Sequence, residues 1–334
     1  PAAVSEIMAQ IVAVKAGDRV YDPTCGSGSL LIKAAKKGNS NQVSIFGQEV
    51  NGSSVAMAKM NMYIHEIRDA VIAWGDTLAN PMFKDEDGNL LTFNAIVANM
   101  PFSKDKWAAG FNPGGDAVGK GKKEFKMEAT LDKYHRFDRG VPPASKGDWA
   151  FLLHMIESAS VDGRIAAVAP HGVLFRGAAE GRIRRRVVDE NLLDAVIGLP
   201  ENLFYGTSIP ACILVFKKNR TNNDVLFIDA SGKDEEGNNR FKKDKNQNVL
   251  EKKHIDAIIN AFHARKDIDK FAHVATLEEI QSNDYNLNIP RYVDTFEEEE
   301  LVDLEEVRGN IARLKAEIAD AETQMEKYLK ELGL

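Results

Sequence analysis

Four consecutive residues, Asn99-Met100-Pro101-Phe102, combine types suited to work on an exocyclic amino group. The lone pair of an aromatic amine is delocalised into its ring, so the nitrogen is a poor nucleophile. Two oxygen acceptors that take both of its hydrogens favour a pyramidal nitrogen and release the lone pair for attack. The Asn99 side-chain oxygen and the Met100 main-chain carbonyl can supply that pair. Pro101 stiffens the turn through its fixed φ. Phe102 offers a ring on which a base rotated out of a duplex can stack. Preorganised acceptors and in-line positioning supply most of such catalysis. Neither Asn nor Phe is a strong base, so no general base is assigned.

A second constellation lies upstream, in Asp22-Pro23-Thr24-Cys25-Gly26-Ser27-Gly28-Ser29. Glycines at Gly26 and Gly28 let a backbone come close to a ligand, and the helix that follows offers unpaired N–H groups. A nucleotide cofactor suits such a turn. A dinucleotide fingerprint would require a third glycine at position 31; the chain has Leu31, which disfavours nicotinamide and flavin. Glu49 stands where a carboxylate can accept both ribose hydroxyls, and Asp76 follows in Gly75-Asp76-Thr77. The intervals Asp22 to Glu49, Glu49 to Asp76 and Asp76 to Asn99 are 27, 27 and 23 residues, each about one strand–helix unit. With an amine acceptor downstream, S-adenosylmethionine is the cofactor that fits.

The elements that must position these residues can be read from periodicity. Val4, Ile7, Met8, Ile11 and Val12 recur at helical spacing. Short runs at 19–21, 43–47, 70–74 and 94–98 read as strands, with helices over 29–37 and 53–67 between them. Further helices are expected at 149–159 and 180–189, and strands at 164–169, 193–198, 211–216 and 225–228. Near-continuous Val/Ile/Ala strands between helices predict a doubly wound, mostly parallel α/β sheet covered on both faces. All four polar groups then fall at the carboxyl ends of strands, where open α/β sheets bind ligands. Residues 103–146 are rich in Gly and Lys and are expected to form a mobile basic loop. Residues 231–248 look like a polar surface excursion. From Leu304 through Val307, Ile311, Leu314, Ile318, Ala321, Met325 and Tyr328 to Leu332, apolar residues alternate steps of three and four. That is a heptad seam, and it predicts a long coiled-coil helix for subunit interaction over 291–334, after a catalytic domain at 1–290.

Composition sets bounds. No apolar run is long enough to span a bilayer, there is no secretory start, and two cysteines cannot form a disulfide framework, so the cytoplasm is expected. Net charge is −7, but residues 297–331 carry twelve acidic and five basic residues and account for all of it. Within the remaining, nearly neutral chain, 103–146 holds ten Lys/Arg against six Asp/Glu, which can track phosphates. Cytosine-C5 methylation needs a nucleophilic Cys, typically after Pro; neither Cys25 nor Cys212 follows one, so both read as packing residues. The seven histidines show no metal-ligand spacing, and no metal is expected. Arg182, Arg184, Arg185 and Arg186 read as a solvated helix stripe, with phosphate contact as the alternative. Ser103, Lys104 and Trp107 sit beside the Asn99 turn, within reach of a flipped nucleotide.

The segments Asp22–Leu31, Gly47-Gln48-Glu49 and Ala98–Phe102 together resemble the modification subunit of type I restriction–modification systems. So do Gly147–Phe151, Val168–Gly172, Leu199–Phe204 and Asn283–Leu287. The resemblance implies a class I S-adenosylmethionine-dependent fold and methylation of adenine N6 in double-stranded DNA. It also implies a specificity subunit that reads the target and packs on the terminal helix, and a restriction subunit that can join. By position it assigns Asp22, Thr24, Gly26, Ser27, Gly28, Ser29, Glu49 and Asp76 to the cofactor and Asn99, Met100, Pro101 and Phe102 to the target base. Met100 departs from the family's usual Pro. The family's helical N-terminal domain is expected to be absent, because Pro1–Ser5 resembles the tail of the segment that follows it. Alternatives are methylation of cytosine N4 or of a glutamine amide, and a non-catalytic scaffold; Phe102 rather than Trp favours adenine.

Overall fold

The computed structural model describes residues 1–38, 42–111, 125–204, 208–234, 236–245, 247–294 and 304–332. The chain divides into two units, Pro1–Thr295 and Phe296–Leu334.

The first unit is built on a nine-stranded sheet. Its strands in chain order are β1 (Arg19–Asp22), β2 (Ser44–Glu49), β3 (Val71–Trp74), β4 (Phe93–Asn99), β5 (Ala159–Pro170), β6 (Leu193–Gly198), β7 (Ala211–Lys217) and β8 (Val225–Asp229). A polar ribbon of β9 (Lys242–Asp244) and β10 (Gln247–Val249) stands apart, and β11 (Ala272–Ala275) closes the sheet. The order across the sheet is β11-β8-β6-β7-β5-β4-β1-β2-β3. Among the described residues five of its eight neighbour pairs are parallel; β7 runs antiparallel between β5 and β6, and β11 antiparallel beside β8. β6, β7 and β8 are buried along nearly their whole length, as strands covered on both faces must be.

The helices are α1 (Ala2–Val12), α2 (Ser29–Lys37), α3 (Gly52–Ile64), α4 (Asp148–Glu157), α5 (Gly172–Phe175), α6 (Ala178–Asp189), α7 (Lys252–Ala264) and α8 (Leu277–Ser282). Two apolar clusters lie against the sheet. One joins α1, α2 and α7 to alternate residues of the strands, such as Val20, Ala95 and Val97. The other joins α4 and α6 to the intervening residues, such as Tyr21, Ile96 and Ala98. The period-two division of β1 and β4 between the clusters is the direct signature of a sheet sandwiched between helical layers.

Strand order reverses between β1 and β4: the chain winds outward to β2 and β3 on one side and to β5 on the other. Crossovers leave the two halves of such a sheet in opposite directions, so a crevice opens at the carboxyl ends of the flanking strands. Tyr21 pairs with Ile96 and Asp22 with Gly47, which brings the ends of β1, β2 and β4 to one edge.

Over its described length the 103–146 segment, expected as a mobile basic loop, carries its own packed apolar anchors. Residues 103–111 and 125–146 pack onto the body, with Trp107 and Phe137 at 1% and 0% exposure. Their ring centroids are 5.1 Å apart, and Trp107 Nε1 donates to the Pro143 carbonyl at 2.9 Å. Trp107, Ala108, Met127 and Phe137, dispersed among Gly and Lys, anchor both limbs; residues 112–124 lie outside the described residues.

The second unit is the helix α9 (Leu304–Glu331). Ile311, Leu314, Ile318, Met325 and Tyr328 of its seam are all exposed, and Arg313 pairs with Glu317 on the same helix. Among the described residues no helix is long and apolar enough to cross a membrane.

Candidate active site

β1 delivers Asp22 to the crevice edge at 2% exposure, where its Oδ1 accepts the Thr24 N–H at 2.9 Å. Burial, and then the nearby Glu49 carboxylate, push the Asp22 carboxyl up to about 7. The chain then turns tightly. Cys25 N–H donates to the Gln48 carbonyl at 3.0 Å, Gly26 N–H to Glu49 Oε2 at 3.0 Å, and Gly28 N–H back to the Cys25 carbonyl at 2.7 Å. Gly26 and Gly28 have φ of 51° and 76°, the left-handed region that costs side-chain-bearing residues most. A Cβ on Gly28 would come within 3.0 Å of Met62 Cε, whereas one on Gly26 would meet nothing within 4 Å. The turn is thus packed from below and open above. From α3, Asn61 Nδ2 donates to the Ser27 carbonyl at 2.8 Å and holds the open face in place.

Glu49 ends β2. Its Oε1 accepts the Asn51 N–H at 2.8 Å and its Oε2 the Gly26 N–H, so both oxygens are fixed by main chain. A carboxylate oxygen has two lone pairs, and the second on each remains for a vicinal diol. Asp76 has a further task. Its Oδ1 accepts the N–H groups of Leu78 and Ala79 at 2.9 and 3.2 Å, capping the turn after β3. Thr77 Oγ1 donates to the Pro23 carbonyl at 2.5 Å, tying that turn to the glycine turn.

Arg136, from the 125–146 limb, supports the same turn from behind. Its guanidinium donates to the carbonyls of Thr77 at 3.2 Å and Leu78 at 2.7 Å, and pairs with Asp132 at 2.8 Å at full burial. It also lies 3.2 Å from His154 Nδ1. Burial and this cation hold His154 well below the usual histidine range, so it is neutral and its Nδ1 accepts from Arg136.

The Asn99 turn leaves β4 with the Asn99 side chain exposed and Met100 buried at 2%. The Met100 thioether joins the apolar cluster with Trp107 and Trp149, so the turn exchanges a second ring constraint for a side-chain anchor. Ser103, directly after the turn, has φ of 50°, a strained conformation for a residue with a Cβ. Asp148 holds it there. This fully buried carboxylate accepts Ser103 N–H through Oδ1 at 2.6 Å and Arg176 Nη2 through Oδ2 at 2.6 Å. Arg176 pairs in turn with Glu180 of α6. Phe102 meets Phe204 edge to face, with centroids 6.0 Å apart at 71°.

The crevice edge therefore gathers Asp22, Thr24, the Gly26–Ser29 turn, Glu49, Asp76 and Asn99–Phe102. Trp107 does not join them: it is a core residue beneath the turn. Asp148, Arg176, Arg136 and Phe204 carry no motif signal of their own; Asp148 and Phe204 lie in Gly147–Phe151 and Leu199–Phe204, where the family resemblance could have flagged them. Cys25 and Cys212 are both buried, and burial pushes both thiols far up, which leaves neither a nucleophile. Arg184 departs from the solvated stripe: it is 4% exposed.

The sheet order and the crevice at its β1–β4 reversal define the class I S-adenosylmethionine-dependent methyltransferase fold. The profile of the N-6 DNA Methylase family matches residues 1–301, and the chain belongs to that family. It is 33% identical over its whole length to the type I restriction enzyme MjaVIII methylase subunit of Methanocaldococcus jannaschii, covering 56% of that protein. It is 34% identical to the MpnII methylase subunit of Mycoplasma pneumoniae, over 99% of this chain and 59% of that one. Among solved structures, the type I restriction-modification system methyltransferase subunit from Streptococcus thermophilus shares 43% identity at a TM-score of 0.76. That match covers 88% of this chain and 59% of the other. The chain thus spans a little over half the length of these relatives.

Proposed function

We propose that this chain is the catalytic part of a type I modification subunit, transferring a methyl group from S-adenosylmethionine to adenine N6 in duplex DNA. The observation that carries the reading is the adjacency, across the β1–β4 reversal, of the open glycine turn and the rigidly held Asn99 turn. The cofactor fits the residues present. Open space lies over Gly26, and Thr24 Oγ1 is buried with no hydrogen-bond partner among the described residues. When bound, S-adenosylmethionine supplies an electrophilic methyl group. Glu49 would hold the ribose hydroxyls, and the Ser27-Gly28-Ser29 turn, Asp22 and Asp76 would hold the cofactor's other polar groups.

The Asn99 side-chain oxygen and the Met100 carbonyl would accept from the two N6 hydrogens and orient the lone pair, and the one N6 proton displaced on methylation would pass to water. Phe102 stacks on the flipped base, and Phe204 braces that ring from its edge. No residue acts as a strong base, so rate enhancement comes from placement and fixed dipoles. Sequence reading belongs to a specificity subunit, whose helices pack on the α9 seam; a restriction subunit joins the assembly, which works in the cytoplasm where DNA is accessible. Asn99→Ala, assayed with the cognate specificity subunit, is expected to lose methyl transfer by at least about a hundredfold while S-adenosylmethionine binding by calorimetry stays within about twofold. Parallel loss of both would make Asn99 a structural residue and contradict the assignment.

A further inference from the structure

The arginines of α6 do not form a uniform surface stripe. Arg184 turns inward and is 4% exposed. Its guanidinium donates to three main-chain carbonyls, those of Tyr285 at 2.7 Å, Val173 at 3.2 Å and Arg176 at 2.8 Å. No carboxylate pairs with it directly among the described residues. Burial lowers its pKa to about 10, so it remains a cation at neutral pH. Arg184 forms the floor of a cleft of about 730 Å³ between the start of α6 and the 281–291 segment. Arg182, Arg185 and Arg291 line the same cleft and are exposed. Arg185 lies over the Tyr285 ring at 4.9 Å and 3.7 Å from Asp189; Arg291 donates to the Asn283 side chain at 3.4 Å. Asp284 is the one carboxylate in the lining, against four guanidinium groups.

A buried cation whose direct hydrogen-bond partners among the described residues are carbonyl dipoles, with the Glu180 carboxylate nearby and three more cations at the rim, makes an anion-attracting concavity. The N-terminal turn of α6, which carries no side-chain cap, borders it and adds the positive end of a twelve-residue helix. Its position names the anion. α5 and α6 follow the carboxyl end of β5, and Val168 of β5 pairs with Asn99 of β4, so the cleft opens on the same edge of the sheet as the Asn99 turn. The two are also bonded together: Arg184 holds the Arg176 carbonyl, Arg176 holds Asp148, and Asp148 holds Ser103. An extended polyanion entering the active-site edge would pass this cleft.

We propose that the cleft of Arg182, Arg184, Arg185 and Arg291 binds backbone phosphates of the DNA strand beside the target base. This rests on the methyltransferase reading and adds a phosphate site outside the motifs that define it. The contact is to phosphate and carries no sequence information.

The test uses the chain in complex with its cognate specificity subunit and a fluorescein-labelled duplex of about 30 base pairs, titrated across a range of NaCl concentrations. Arg182→Ala with Arg291→Ala removes two exposed cations and leaves the buried Arg184 scaffold intact. The expected result is DNA affinity about tenfold weaker at low salt and a logarithmic salt slope shallower by about two, with S-adenosylmethionine affinity unchanged. Arg182→Lys with Arg291→Lys is expected to restore most of the affinity, because a phosphate accepts a point charge. Unchanged DNA affinity and salt slope would overturn the proposal. So would loss of specificity-subunit association with DNA binding by the chain alone unaltered, which would make the cleft a protein-docking surface. Failure of the parent chain to bind S-adenosylmethionine would instead sink the enzyme reading, whatever the arginine variants do.

Discussion

Burial and the Glu49 carboxylate move the Asp22 carboxyl from its ordinary 3.8 to about 7, and that shift has two consequences of opposite sign. The folded protein retains a proton there in a range where the unfolded chain has lost it. The stability this contributes is fully present below about pH 4, falls as pH rises, and is gone above about pH 7. Asp22→Asn removes that dependence, so its melting temperature should fall less than the parent's between about pH 5 and pH 8 in matched thermal melts. Cofactor binding runs the other way. S-adenosylmethionine is cationic, and an ionised Asp22 attracts it, so affinity should rise severalfold through pH 7 in the parent and stay flat in Asp22→Asn; a flat parent profile would remove Asp22 from the binding site. The gathering of Asp22, Gly26, Gly28, Glu49 and Asn99 at one crevice edge was legible in the sequence, because turn glycines and the spacing of strand ends act locally. Met100 was legible as a departure from the family's Pro, but its burial was not, because the apolar cluster it joins also draws on Trp149 and on strands far along the chain.

Strands and crossover helices around the crevice were legible because a sheet covered on both faces demands unbroken Val/Ile/Ala runs. Reading β6 at 193–198 needed nothing else. β5 was not legible at its start: it begins at Ala159, where the sequence runs Ser-Val-Asp-Gly and Val161 is 82% exposed, so the apolar run alone marks only its second half. The antiparallel placement of β7 was equally hidden, since strand direction leaves no trace in periodicity. The braces between turns were invisible for a related reason. Ser103 and Asp148 are 45 residues apart, and Arg136 and Thr77 are 59 apart, and no period encodes a single side-chain-to-backbone bond. Asp148 supplies the sharpest test at this scale. In Asp148→Asn the amide can still accept from Ser103 but turns an NH2 group toward Arg176, so the strained turn loses its lock. The expected outcome is kcat lower by about tenfold or more with S-adenosylmethionine affinity unchanged, and a loss of about 1–3 kcal/mol in denaturant unfolding. A stability loss with kcat intact would make the brace structural only.

At the scale of the whole molecule, the crevice lies in the first unit, and α9 presents an apolar seam that is exposed along its described length. A row of Ile, Leu, Met and Tyr at heptad spacing on a helix is stable in water only when another helix covers it. Ile311→Asp with Ile318→Asp is therefore expected to abolish co-purification with the specificity subunit while leaving the melting transition of the sheet unit in place; persistent co-purification would move that interface elsewhere. The chain matches its relatives over a little over half their length. Product identity shows whether the Asn99 turn presents an adenine amino group to the cofactor crevice. The chain and its specificity subunit are incubated with duplex DNA and methyl-labelled S-adenosylmethionine, and the digested nucleosides are separated by mass spectrometry. The account predicts label in N6-methyldeoxyadenosine alone, absent with Asn99→Ala; label in N4-methyldeoxycytidine, or none in any base, would contradict it.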